Sequence, residues 1–159
     1  MKKLGALTIV FFIAFLIPAT AFCANIPNPT QNFFVNDFAN VIDDSTEQGM
    51  HNAAVRLQEQ TGAQVVAVTI ESIGDDTTLE QYAYDLFKKW GIGQAKENNG
   101  VLILVAVGDR KSRIEVGVGL EGILPDAKTG RIQDEYMLPY FRANDYNDGI
   151  AGGYVAVIQ

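Results

Sequence analysis

The chain has 159 residues, 48% of them hydrophobic and 19% charged, which suits one globular domain and argues against both a disordered segment and a pair of domains. A net charge of −7 at pH 7 argues against nucleic acid as a partner, because surfaces that bind it are basic. The single cysteine, Cys23, leaves no disulfide framework and no thiolate metal site.

Residues 1–24 read as a secretory signal peptide. Lys2 and Lys3 form a charged start, Leu4 to Pro18 is uncharged and mostly apolar, and Ala19-Thr20-Ala21 is a small-x-small cleavage site. An uncleaved anchor is the alternative, since no charge occurs from Leu4 to Phe22, although that run is short for a membrane span. Either way the domain is expected outside the cytoplasm: periplasmic, extracellular or on the outer face of a membrane. Removing Lys2 and Lys3 with the leader takes the charge from −7 to about −9. Residues 25–32 (NIPNPTQN), polar with two prolines, read as a linker to a domain over residues 33–159.

Within the domain, Phe33 to Ile42 predicts a short strand followed by a bend at Asn36-Asp37. Asp44 and Glu47 form a capping box, and Met50, Ala53, Ala54 and Leu57 follow at helical spacing, so Ser45 to Gln60 is an amphipathic helix ended by Gly62. Gln64 to Ile70 is a strand buried on both faces. Thr78 and Gln81 open a second helix whose inner face carries Leu79, Tyr82, Ala83, Leu86, Phe87 and Trp90. Val101 to Val107 is another fully apolar strand. After the turn Gly108 to Lys111, Ser112 to Val118 alternates and returns antiparallel. Pro125 and Asp126 start a third helix with Ile132 and Tyr136 facing inward, and Pro139 ends or kinks it. Asp145 caps a fourth helix with Tyr146, Ile150, Tyr154 and Val157 at helical spacing. These elements predict an α/β fold, a three-layer α/β/α sandwich around a small mixed central sheet.

Gly117 to Gly122 spells G-x-G-x-x-G. A dinucleotide fingerprint requires a βαβ unit around the glycines. Here the preceding strand is the return arm of a hairpin, and no strand pattern follows the next helix. The fold is therefore Rossmann-like without a nucleotide cofactor. The carboxylates Glu121 and Asp126 stand on this loop, and the hairpin brings it beside Asn98-Asn99-Gly100. Two carboxylates and two amides are hard oxygen donors suited to calcium or magnesium. The competing reading is a helix cap at Asp126, a turn at Asn99-Gly100 and a solvated Glu121.

The segments VNDFANVI, TGAQVVAVTIES, LFKKWGIG, NNGVLILVAVGDRKSRIEVGVGLEGILPD and PYFRANDYNDGI together resemble the TPM domain family from about Phe33 to Gln159. Asn98, Asn99, Gly100, Arg110, Arg113, Gly117, Gly119, Glu121 and Asp126 stand at the family's signature positions. Asp37 does too, in an Asp-x-Ala element with Ala39. The resemblance implies an α/β/α sandwich at or outside a membrane. Its plant thylakoid-lumen members are linked to photosystem II repair and weak acid phosphatase activity, and several members are associated with calcium. Many bacterial members continue into a membrane-spanning or low-complexity tail. Here the sequence stops within a helical pattern at Val155 to Gln159, so such a tail is either lacking or removed.

The expected metal ligands are therefore Asp37, Asn98, Asn99, Glu121 and Asp126. The expected function is divalent-cation binding near a membrane, in membrane-protein maintenance, with a membrane protein as partner. Two alternatives stand beside it: a weak acid phosphatase with a metal bridging Asp37, Glu121 and Asp126, and a non-catalytic protein-interaction module. His51 lacks a marked orienting partner, Ser72 and Ser112 lack a nucleophile elbow, and Asn144 to Gly149 lacks calcium-loop spacing. Arg110, Lys111 and Arg113 form a small basic group that Asp109 and Glu115 are placed to neutralise.

Overall fold

The computed structural model describes residues 26–94 and 96–159. The leader reading falls outside that range. A four-stranded sheet in the order β1-β2-β3-β4 forms the centre: β1 (Val35–Asp37), β2 (Gln64–Ile70), β3 (Gly100–Ala106) and β4 (Lys111–Val116). The first three strands are parallel and β4 returns antiparallel to β3, with Val101 opposite Val116 and Ala106 opposite Lys111. The sheet is mixed and helices cover both sides, as the pattern predicts. β3 is buried throughout because both its faces are covered, which is why its sequence is continuously apolar.

On one side, α1 (Asp44–Thr61) packs against α5 (Tyr146–Ile158), and both pack on β2. On the other, α2 (Leu79–Trp90) packs on β3 and β4. The cap of α1 is Asp43 rather than Asp44: its carboxylate accepts from the Thr46 N–H at 2.8 Å, and Gly62 ends the helix in the left-handed conformation. Thr78 caps α2 as expected. The deepest polar contact between layers is the hydroxyl of fully buried Tyr154, which donates to the Val65 carbonyl at 3.0 Å. Tyr154→Phe should cost about 1 kcal/mol, the net worth of one hydrogen bond, and Tyr154→Ala about 4 kcal/mol through the cavity it leaves. Urea titration of the two variants checks both.

Three further sequence expectations change. Asn36 and Asp37, expected at a bend, lie within β1. After α3 (Asp126–Ile132) the helix widens into a π-turn over Gln133–Met137 before α4 (Leu138–Arg142). The extra residue rotates the following face, so Met137 is fully buried while Tyr136, expected to face inward, is 46% exposed. Pro139 sits in the first turn of α4, where its missing N–H is tolerated. The segment read as a linker is tied down: Lys89 donates to the Ile26 carbonyl at 2.6 Å, Trp90 Nε1 to the Pro27 carbonyl at 2.9 Å, and Asn36 Oδ1 accepts from the Thr30 N–H at 2.7 Å. Composition marks prolines and polar residues, but not these long-range partners.

Candidate functional site

The five expected metal ligands fall at opposite ends of the sheet. Asp37 ends β1 opposite Thr69, near the carboxyl end of β2. Asn98 and Asn99 precede Gly100, which pairs with Gln64 at the other end of β2. The five residue steps of β2 from Gln64 to Thr69 span roughly 16 Å, so Asp37 cannot share a coordination sphere with Asn99. Among the described residues no group of three or more His, Cys, Asp or Glu side chains is placed to hold a metal ion.

At the amino end, the backbone rather than a ligand explains the glycines. The Gly117 N–H donates to the Gly100 carbonyl at 2.8 Å and the Gly119 N–H to the Asn98 carbonyl at 3.1 Å. A Cβ on Gly117 would collide with the Asn98 carbonyl, and one on Gly119 with the Glu97 carbonyl, whereas one on Gly122 would meet open space. The first two glycines permit a close approach of two loops, and the third has no such role. Asn99 is engaged in the same clasp. Its Oδ1 accepts from the Gln94 N–H at 2.9 Å, and its carbonyl accepts from the Gln64 N–H at 3.0 Å. Asn98 holds a left-handed backbone (φ 47°) with its side chain outward. Glu121 and Asp126 are exposed, and their carboxylates have no hydrogen-bond partner among the described residues.

The carboxyl ends of the parallel strands form the more structured corner, and open α/β sheets place ligands at that end. Asp37 is half-buried there. One carboxylate oxygen accepts from the Ile42 N–H at 2.8 Å and the other from the Thr69 hydroxyl. Buried Thr69 in turn accepts from the Ala39 N–H at 3.1 Å, which fixes the rotamers of both side chains. Glu47, in the first turn of α1, lies close to this group. Burial raises its carboxyl pKa, and the negative charges of Asp37 and Asp44 raise it further. Among the described residues no salt bridge relieves that repulsion: the one present is Arg113 to Glu115, at 2.7 Å on the other edge of the sheet. The amino end of α5 closes the corner, with Asn147 Oδ1 accepting from the Asp43 N–H at 3.0 Å.

A sequence profile of the TPM domain matches residues 35–159. The chain belongs to the TPM domain family. Among solved structures, the N-terminal domain of a P. gingivalis protein is 36% identical, with a TM-score of 0.72 over 79% of this chain and 80% of that one. Two further structures share the fold. The N-terminal domain of the cg2496 protein of Corynebacterium glutamicum is 16% identical, with a TM-score of 0.61 over 86% of this chain and 84% of that one. The BA42 protein of the psychrophilic bacterium Bizionia argentinensis is 18% identical, with a TM-score of 0.63 over 76% of this chain and 81% of that one. No curated protein matches. The matched span contains every element from β1 to α5, so both ends of the sheet belong to the TPM domain.

Of the residues at the carboxyl corner of this TPM domain, the sequence singled out Asp37 for a site. Glu47 read as half of a capping box and Thr69 as strand filler. The signal for them lay in topology: three parallel strands point their carboxyl ends the same way, and the residues after each end are brought together.

Proposed function

We propose that this TPM domain is an exported binding module for a divalent cation, calcium by the chemistry of its donors, with the cation held at the Asp37–Glu47 corner. The observation that supports this most is Glu47, whose ionisation is opposed by burial and then by Asp37 and Asp44, with no salt bridge to it among the described residues. A hard cation suits that surplus of negative charge. Two carboxylates, backbone carbonyls and water make an incomplete protein shell, so affinity belongs in the roughly 10⁻⁴ to 10⁻³ M range of extracellular modules. Asp37 and Glu47 would supply the charge, and Thr69 would orient Asp37. Of the other expected ligands, Asn99 is engaged in the loop clasp, and Asn98, Glu121 and Asp126 are left to solvent. The cation would order the corner from which a membrane-protein partner is met.

This favours a binding module over a phosphatase. Transfer of a phosphoryl group needs cations beside the metal to offset charge on the transferring group. The basic group of Arg110, Lys111 and Arg113 lies at the β3–β4 turn and on β4, three strand spacings or roughly 14 Å across the sheet from β1. Hydrolysis of p-nitrophenyl phosphate should therefore be slow, and unchanged by Glu47→Gln or Glu121→Ala in calcium or magnesium. A robust metal-dependent rate lost in either variant would establish the enzyme instead.

A further inference from the structure

The turn between β3 and β4 meets α4 and the start of α5 in a cavity of about 190 Å³, lined by Arg110, Lys111, Leu138, Phe141, Arg142 and Tyr146. Three cations border it in a chain whose net charge is −7. The neutralisation expected from the sequence reaches Arg113 but gives Arg110 and Lys111 no salt bridge among the described residues. Asp109 turns away to accept from the Ser72 hydroxyl and the Ile73 N–H, both at 2.8 Å, and these bonds lower its pKa. Glu115 is taken up by Arg113, which does not line the cavity. The charges of Asp109 and Glu80 reach Lys111 only at a distance, and none of the three lining cations has a salt bridge among the described residues.

The rest of the wall is Leu138 and two aromatic rings. Phe141 and Tyr146 stack with ring centroids 5.0 Å apart and planes at 28°. Arg110 also holds a left-handed backbone (φ 53°) at the tight end of the hairpin, where glycine or asparagine is favoured. The fold keeps a long cationic side chain there at a cost of about 1 kcal/mol.

We propose that this cavity is a binding site for a small organic anion made of an oxyanion group on a flat aromatic body, such as an aryl carboxylate. Guanidinium groups present planar donor forks that match a carboxylate, and the stacked ring pair supplies a face for an aromatic body. The cavity is smaller than a drug-sized ligand site, so it takes one ring and its charged group. The site is separate from the Asp37–Glu47 corner and does not depend on the cation reading.

The test is NMR titration of the purified protein with sodium benzoate, with acetate and benzyl alcohol in parallel. Benzoate should give saturable amide shifts at Arg110, Lys111, Phe141 and Tyr146, and acetate and benzyl alcohol should bind at least tenfold more weakly. Arg142→Gln should weaken benzoate binding about tenfold, the loss of one charge-assisted contact. Arg110→Gly should weaken it while raising the melting temperature, because the backbone strain is relieved. That opposite pair of effects separates a ligand-holding arginine from a structural one. No saturable shift, acetate matching benzoate, or unchanged binding in both variants would overturn the proposal.

Discussion

Gly119→Ala is expected to lower the melting temperature by roughly 10 °C, while Gly122→Ala leaves it nearly unchanged. The added Cβ of the first variant lands on the Glu97 carbonyl, and the next nearest atoms belong to the same backbone. Backbone cannot swing aside like a flexible side chain, so the two loops must separate. Losing the clasp breaks the Gly119 bond to the Asn98 carbonyl and loosens the Gly117 bond to the Gly100 carbonyl. Overpacking of this kind costs about 3 kcal/mol, which in a domain of this size is roughly 10 °C. Gly117→Ala should behave like Gly119→Ala, because its Cβ meets the Asn98 carbonyl. Gly122 has open space around it, so its alanine variant is the control. Thermal melts of the three variants in one buffer decide the point. Equal losses at Gly119 and Gly122 would show that the motif matters for a reason other than close approach.

Asp37→Ala is the second large effect. It removes the acceptor for the Ile42 N–H and for the Thr69 hydroxyl, at a position where water reaches poorly. Leaving two donors without their charged acceptor costs about 2–4 kcal/mol. Asp37→Asn keeps one carbonyl acceptor but sets an amide against a donor, so it should fall between wild type and alanine. Chemical denaturation without metal measures this cost separately from any loss of cation binding.

The sequence made the layers legible for physical reasons. Continuous apolar runs at 64–70 and 100–106 are buried on both faces, and the alternation after Lys111 marks an edge strand in which only Ile114 is fully buried. Caps at Thr78 and Asp145 and stops at Gly62 and Gly91 follow from local hydrogen bonding, and local signals are what sequence spacing reports. The π-turn at Gln133–Met137 was not legible, because a single wide turn leaves the 3.6-residue pattern before it intact and displaces the one after it. Asp37 was placed with Glu121 because resemblance names residues without saying which end of a sheet they occupy. The register settles that by pairing Asp37 with Thr69 and Gly100 with Gln64. Glu47 reads in the sequence only as part of a helix start, because its proximity to Asp37 is made across a turn that sequence neighbours do not report.

The cation reading also fixes a pH dependence. The raised pKa of Glu47 means that the folded state holds this proton more tightly than the unfolded chain does. Ionisation of Glu47 therefore removes stability as pH rises from the unfolded carboxylate value through the folded one. Glu47→Gln should escape that loss and melt slightly above wild type at pH 7 in chelator. A bound cation offsets the same repulsion, so its stabilising effect should grow over the same pH interval and fade below it.

The most direct test is the melting temperature of wild type and Glu47→Gln at pH 7, in chelator and in about 10 mM calcium. With a dissociation constant near 1 mM, linkage gives about 1.4 kcal/mol, or roughly 5 °C. The account predicts that gain in wild type and its absence in Glu47→Gln. Identical wild-type melts in chelator and calcium, or a gain that survives Glu47→Gln, would contradict it.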